Sequence, residues 1–331
     1  MVKKHSPRRG SMAFRPRGRT KKIIPRIRNW ELTDSEKPGI LGSAGIKVGS
    51  IHIITIDDRK RNPNTGKPLF NAATIIATPT ISVIGFRSYI NTEKKLEVKN
   101  EVYVNKMPKE IEKKVSFKTK EYQKKIDEIK KTVDSVELFR IIACLIPKRS
   151  GLAQKKPFIF ELEIGGGEKK NQLEYILDIL GKEIRTGDIL ESTSEIDVIS
   201  TTKGKGFQGV VSRMGVKRKS HKSRKTVREV ASIGPWKPAN VMYTVPRAGQ
   251  KGVHQRTEYN KRILMVSDIN ESESIINRDI PHYGKLEGEY IILKGSIAGP
   301  PKTFVRMRFP ARSRIKKVEL PKVIEISNNN G

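Results

Sequence analysis

The chain has 331 residues, with 67 Lys or Arg against 35 Asp or Glu, and so carries a formal charge of +32. An enzyme with an anionic substrate needs a basic pocket; an excess spread along the whole chain is the footprint of a polyanionic partner, nucleic acid first among them. A membrane surface fits less well, because the basic stretches lack an interleaved Leu, Phe or Trp face. One cysteine, Cys144, excludes an intrachain disulfide framework and a cysteine-built metal cluster.

Residues 1–28 hold eleven Lys or Arg, no acid, and prolines at Pro7, Pro16 and Pro25. No apolar run follows the charge, so no signal peptide is expected. With little to bury, this arm, taken as residues 1–38, is predicted to be disordered alone and to fold against RNA phosphates. Trp30 near its end either folds back onto a core or stacks on bases.

From Gly39 the composition changes. IKVGSIHIITID, LFNAATIIATP and TISVIGFRSYI are β-branched and bounded by Gly, Pro or Asn, which predicts strands. Asn62-Pro63-Asn64 and Gly66 mark a turn-rich connection. The uncharged run over residues 68–86 falls short of the ~20 predominantly apolar residues of a membrane span. Pro79, Asn71 and its threonines make it two strands instead, and a soluble protein is expected.

Ile111, Val115, Tyr122, Ile126, Ile129 and Val133 recur at helical spacing, predicting a helix within 108–133 whose stripe faces a core. VELFRIIACLI and FIFELEIGGG read as strands. Leu173, Ile176, Leu177 and Leu180 form a second stripe within 168–181, closed by Gly181 as C-cap. EIRTGDILE, EIDVIST, RILMVSDI and EGEYIILKGSI are further predicted strands. So many short strands suggest a closed β-barrel or sandwich, with residues 39–202 and 263–300 as its parts.

Residues 203–262 break this pattern. Between Lys203 and Arg228 there are ten Lys or Arg and no acid, and the run ends in the apolar tip Gly234-Pro235-Trp236. Such charge density repels itself and needs an anionic partner around it. Gly204, Gly206 and Gly209 satisfy G-x-G-x-x-G, but a dinucleotide turn must open an amphipathic helix, and here seven basic residues follow within 217–228. The glycines are better suited to close backbone approach by a bulky partner. His5, His52, His221, His254 and His282 lack metal-ligand spacing, and no carboxylate pair suggests catalysis. His221, between Lys219 and Lys222, reads as an RNA-contacting ring. Trp236, flanked by Pro235 and Pro238, either folds onto the core or forms a rigid tip for base stacking. The predicted RNA-binding set is Lys203, Gly204, Lys205, Gly206, Gly209, Arg213, Lys217, Arg218, His221, Lys222, Arg224, Arg228, Arg247 and Arg256. Residues 301–331 read as a basic tail: 299–317 hold seven Lys or Arg and no acid, and 327–331 are polar and expected to fray.

Leu190, Asp197, Ser200, Thr202, Gly204-Lys205-Gly206, Gly209 and Arg213 match in spacing a signature of the universal L-three family of large-subunit ribosomal proteins. The resemblance continues through IGPWKPANVMYTVPRAGQKGVHQRTEYNKR and GSIAGPPKTFVRMR, and covers most of the chain from about Gly39. The insert near residues 108–131 resembles the archaeal and eukaryotic branch. The interval from His221 to Trp236 is longer than in eukaryotic members, so no family role is carried over to His221. The resemblance implies a mainly β fold, a six-stranded translation-protein-type β-barrel with a small helical insert and long basic non-globular extensions. It implies a finger that enters the rRNA and brings Trp236 near the peptidyl-transferase centre on the aminoacyl-tRNA side, and a role in early assembly. The implied partners are 23S-type large-subunit rRNA and neighbouring large-subunit proteins, in a cytoplasmic ribosome. No catalytic residue, metal, cofactor, membrane or small-molecule substrate is expected. An RNA-modifying enzyme and a soluble translation factor are the alternatives, and no G-x-x-x-x-G-K-[ST] loop supports the second.

Overall fold

The β-branched runs form strands in the computed structural model, which describes residues 15–31, 35–59, 62–93, 95–105, 107, 109–112, 122–190, 193–269, 279–312 and 320–327. In chain order the main strands are β1 (Gly42–Ile56), β2 (Pro68–Ala77), β3 (Ile81–Asn91), β4 (Leu96–Tyr103), β5 (Leu138–Leu145) and β6 (Phe158–Gly165). They continue with β7 (Glu195–Thr201), β8 (Gln255–Asp268), β9 (Glu289–Lys294), β10 (Phe304–Arg308) and β11 (Val323–Ser327). The helices are short: α1 (Lys109–Glu112), α2 (Tyr122–Lys131), α3 (Lys169–Ile179), α4 (Thr186–Leu190) and α5 (Val210–Met214). The fold is mainly β, and among the described residues no helix is long and apolar enough to cross a membrane.

The chain divides into two units: Met1–Ile23 with Thr201–Arg256, and Ile24–Ser200 with Thr257–Gly331. In the larger unit one sheet runs β10–β7–β8–β9–β2–β1, with β11 added on β1. Because β10 also pairs with β1, the pairing order of these six strands returns on itself. The second sheet runs β6–β5–β3–β4, extended by two-residue strands at Gly39–Ile40 and Glu183–Ile184. At Gly45 a Cβ would lie 2.7 Å from the Ala77 carbonyl oxygen, so only glycine lets β1 approach its neighbour there.

Burial drives the packing. Phe86, Phe139, Tyr290 and Phe304 are fully buried, and the Phe304 ring lies 4.7 Å from Phe158 and 5.4 Å from Phe160. Removing a side chain of this size from water is worth roughly 1.5–3 kcal/mol. Ile126 and Ile129 of α2 and Leu173 and Ile176 of α3 are buried, so both predicted stripes face the core. Gly181 adopts φ +82° just past α3, as a C-cap must.

Four expectations are corrected. EIRTGDILE is not a strand beyond Glu183–Ile184; the chain turns into α4 because the Glu289 carboxylate accepts the N–H groups of Thr186 at 3.1 Å and Gly187 at 2.8 Å. That satisfies orphan donors of the first helical turn. The stretch read as a basic tail contains β10, with Phe304, Val305 and Met307 buried and with Arg306 and Arg308 buried between them. Charge concealed that strand. β8 begins at Gln255, well before the predicted RILMVSDI, and β4 and β11 carried no signal that separated them from loops. Trp30 is a core residue, only 7% exposed, so the basic arm has given way to packed chain before residue 38. The expectations for residues 1–14, for the middle of the 108–133 helix including Val115, and for 328–331 lie outside the described residues; Val133 sits in a short 3-10 turn.

Both buried arginines of β10 have specific partners. Arg308 reaches the Asp197 carboxylate through Nη2 at 3.0 Å and Nε at 3.2 Å, and donates to the Asn29 carbonyl. Asp197 also accepts from the Asn260 N–H at 3.0 Å and the Ala311 N–H at 3.1 Å. Arg306 donates to the Pro25 and Glu161 carbonyls and lies over the Trp30 and Phe160 rings. Burial pulls its pKa down to about 9, because a cation is held away from water.

Candidate nucleic-acid interface

The smaller unit, Met1–Ile23 with Thr201–Arg256, contains 23 Lys or Arg and a single acid, Glu229. Two chain segments form a ribbon at its base. Thr202 N–H donates to His254 at 2.9 Å, Lys205 N–H to Lys251 at 2.9 Å, and Lys251 N–H to Gly206 at 2.8 Å. Phe207 and Gln208 then pair with Gln250 and Gly249. Two glycines are dictated by this geometry. Gly252 has φ +84°, and a Cβ there would be 2.0 Å from the Lys203 carbonyl oxygen; Gly206 turns at φ +63°.

Beyond Gly209 the chain makes the five-residue α5 and stops at Gly215, whose left-handed backbone lets its N–H reach the Val211 carbonyl at 3.0 Å. G-x-G-x-x-G therefore opens one short helix and then a basic loop, not the long amphipathic helix of a dinucleotide fold. The loop is irregular, held by bonds such as Lys219 N–H to Val227 at 2.9 Å and Ser223 N–H to Ser220 at 3.0 Å.

Most of the predicted RNA-binding side chains stand in solvent. Lys203, Lys205, Lys217, Arg218, His221, Lys222, Arg224, Arg228 and Arg247 are exposed, as are Gly204, Gly206 and Gly209. Among the described residues no carboxylate lies within ion-pair distance of any of the ten Lys and Arg over residues 203–228. In the larger unit, by contrast, buried cations such as Arg140 and Arg308 pair with Glu163 and Asp197.

Arg213 and Arg256 differ from the rest. Arg213 donates to the carbonyls of Gln250 at 2.9 Å, Arg247 at 3.0 Å and Arg17 at 3.3 Å. Burial, then the charges of Arg17 and Arg15, push its pKa down. Its guanidinium ties three chain segments together, a structural task the sequence did not suggest. Arg256 is half-buried, its pKa lowered by burial and by Arg17. The described part of the N-terminal arm also belongs here. Arg17 donates to the Arg213 carbonyl at 3.0 Å, Arg15 to that of Tyr243 at 2.8 Å, and Thr20 N–H to that of Val253 at 2.8 Å.

Every residue from Ala231 to Asn240 is exposed, and Trp236 most of all at 93%. Among the described residues nothing covers the Trp236 ring, and its 93% exposure excludes the core-packing alternative. Two more aromatics stand out in the same way and were missed: Phe207 at 77% and Tyr243 at 76% exposed. The signal available was an aromatic set in a cationic stretch without apolar neighbours at strand or helix spacing. Among the described residues no group of His, Cys, Asp or Glu is arranged to hold a metal ion.

The family model described as "Ribosomal protein L3" matches residues 1–329. A protein of Methanobrevibacter smithii named large ribosomal subunit protein uL3 is 40% identical over all of this chain and 99% of its own length. A Caldivirga maquilingensis protein of the same name is 40% identical over 98% of this chain and 97% of its own, and one from Methanococcus vannielii is 38% identical over 99% and 98%. With a full-length family match and relatives of this similarity, the chain belongs to the ribosomal protein L3 family.

Proposed function

We propose that this protein is a structural, non-catalytic component of the large ribosomal subunit that binds large-subunit rRNA directly. The observation that carries the reading is the run of ten cations over residues 203–228 with no carboxylate partner among the described residues. Uncompensated charge at that density is stable only when phosphates surround it. Lys203, Lys205, Lys217, Arg218, Lys222, Arg224, Arg228 and Arg247 neutralise phosphates, with His221 beside them. Gly204, Gly206 and Gly209 admit the RNA backbone closely. Arg213 acts from within, holding the ribbon in shape, and the half-buried Arg256 adds to the positive charge the RNA meets. Recognition rests on phosphates, 2′-hydroxyls and exposed bases more than on paired sequence.

The six strands whose pairing returns on itself serve, in this reading, as a translation-protein-type barrel. Residues 203–254, which end where β8 begins, form the finger, and Gly234-Pro235-Trp236 its tip near the peptidyl-transferase centre. The exposure of Trp236 supports that placement, since a ring left in water by its own protein suits a partner that supplies the other face. Early binding during subunit assembly, neighbouring large-subunit proteins as partners, and residence in the cytoplasmic ribosome complete the proposal.

Sedimentation of a lysate through a high-salt sucrose gradient tests it. Co-migration with the large subunit, resisting the wash, is the expected result. Release into the soluble fraction would overturn it and favour a cycling factor or an RNA-modifying enzyme.

A further inference from the structure

The basic loop and the Trp236 tip leave one feature of the ribbon unexplained. Phe207 is 77% exposed although it lies in the paired strands of the ribbon. It is opposite Gln250 in the ribbon, the ladder bond beside it runs from Lys251 N–H to the Gly206 carbonyl at 2.8 Å, the Gln208 side chain donates to the Lys205 carbonyl at 2.9 Å, and Lys251 Nζ is held by the Ser212 hydroxyl at 2.9 Å. A phenyl ring fixed on a rigid backbone and left in water is a preformed surface: its binding costs little ordering entropy. The adjoining exposed side chains of this segment, Lys203 and Lys205, are cations.

Gly209, two residues further on, supplies a second observation. Its φ of −65° is ordinary, and nothing in the protein lies within 4 Å of where its Cβ would stand. Unlike Gly252, it is not required by the protein's own packing, so the open space beside its backbone is room for something else. An apolar ring, flanking cations and an uncrowded backbone fit a flat, polar-edged group carried on an anionic chain. That describes an unpaired nucleobase, which stacks on the ring while its phosphates meet the lysines. A paired duplex offers no free base face, and a protein partner would bring further apolar surface against a ring whose exposed neighbours Lys203 and Lys205 are cations.

We infer that Phe207 is a nucleobase-stacking platform, so that the base of this unit selects RNA with an unpaired, splayed-out nucleotide. The inference rests on the proposed RNA-binding function and narrows its ligand to single-stranded segments. Phe207 is too exposed for its loss to unfold the protein, and Gly209→Ala changes the same surface without touching the ring.

The test uses the full chain with two probes: a short single-stranded RNA carrying 2-aminopurine at its centre, and the fully paired RNA duplex of the same sequence. Phe207→Ala should weaken single-strand binding roughly 5- to 150-fold, the range for one stacked base. Binding to duplex should change by less than about twofold, and the salt slope should stay the same, since no phosphate contact is removed. The 2-aminopurine quench should shrink with Phe207→Ala and return with Phe207→Trp, and Gly209→Ala should weaken the single strand selectively. Unchanged binding of the single strand, or an equal loss on both probes, would overturn the inference. Failure of the wild-type chain to bind either probe would instead defeat the RNA-binding reading itself.

Discussion

The ion pair between Asp197 and Arg308 allows a quantitative test of what holds the larger unit together. Asp197 is completely buried, and its carboxylate accepts from the Asn260 and Ala311 N–H groups and twice from Arg308. Asp197→Asn keeps the shape, removes the charge, and turns an amide NH2 toward groups that are themselves donors. Arg308 is then a buried cation without its counter-charge. Losing one partner of a buried pair costs about 3–5 kcal/mol. For a unit of about 250 residues, each kcal/mol moves Tm by about 2–4 °C, so the melt should fall by about 6–20 °C. Thermal unfolding followed by circular dichroism at fixed ionic strength measures this. The cycle is completed by Arg308→Met and the double variant, whose combined loss should be smaller than the sum of the singles by about 1–3 kcal/mol. A Tm within about 2 °C of wild type for Asp197→Asn would refute the argument. Strict additivity would show that the backbone donors, not the guanidinium, carry the effect.

The two tryptophans should separate cleanly. Trp30→Ala removes a core ring and should cost about 3–5 kcal/mol in urea unfolding, whereas Trp236→Ala should stay within about 0.5 kcal/mol and lower translation activity of subunits that contain it. Replacing both Lys203 and Lys205 by Ala should flatten the dependence of log K for RNA on log salt by about 1.4–1.8, as two phosphate contacts are lost; an unchanged slope would mean that these lysines do not meet phosphate. Burial raises the Glu289 pKa above its usual 4.5, against the pull of the Gly187 and Thr186 N–H groups. The folded state therefore binds this proton more tightly than the unfolded state does. The associated stability is present below 4.5 and is lost as pH rises through the folded value. Relative to Glu289→Gln, wild type should thus lose stability as pH rises from 4.5 in urea titrations, and a constant difference across that range would contradict the assignment.

The sequence by itself determined the class of the protein and its division of charge. β-branched runs between Gly, Pro and Asn set out β1, β2, β3, β5, β6 and β7, because alternation and turn chemistry are local properties. The absence of acids over residues 203–228 marked the candidate interface, because Coulomb repulsion within a segment needs no knowledge of its fold. What the tertiary structure decided depended on partners distant in the chain. Arg306 and Arg308 look like tail residues until the Glu161, Pro25 and Asn29 carbonyls and the Asp197 carboxylate surround them. Thr186–Leu190 looks like a strand until Glu289, about a hundred residues later, caps it as a helix. Trp30 and Trp236 each lie in or at the end of a stretch that holds prolines and cations, yet one is buried under Arg306 and the other stands in water. Local patterns fix which conformations a segment favours, but burial and ion pairing depend on which remote atoms arrive, and only the folded chain supplies them.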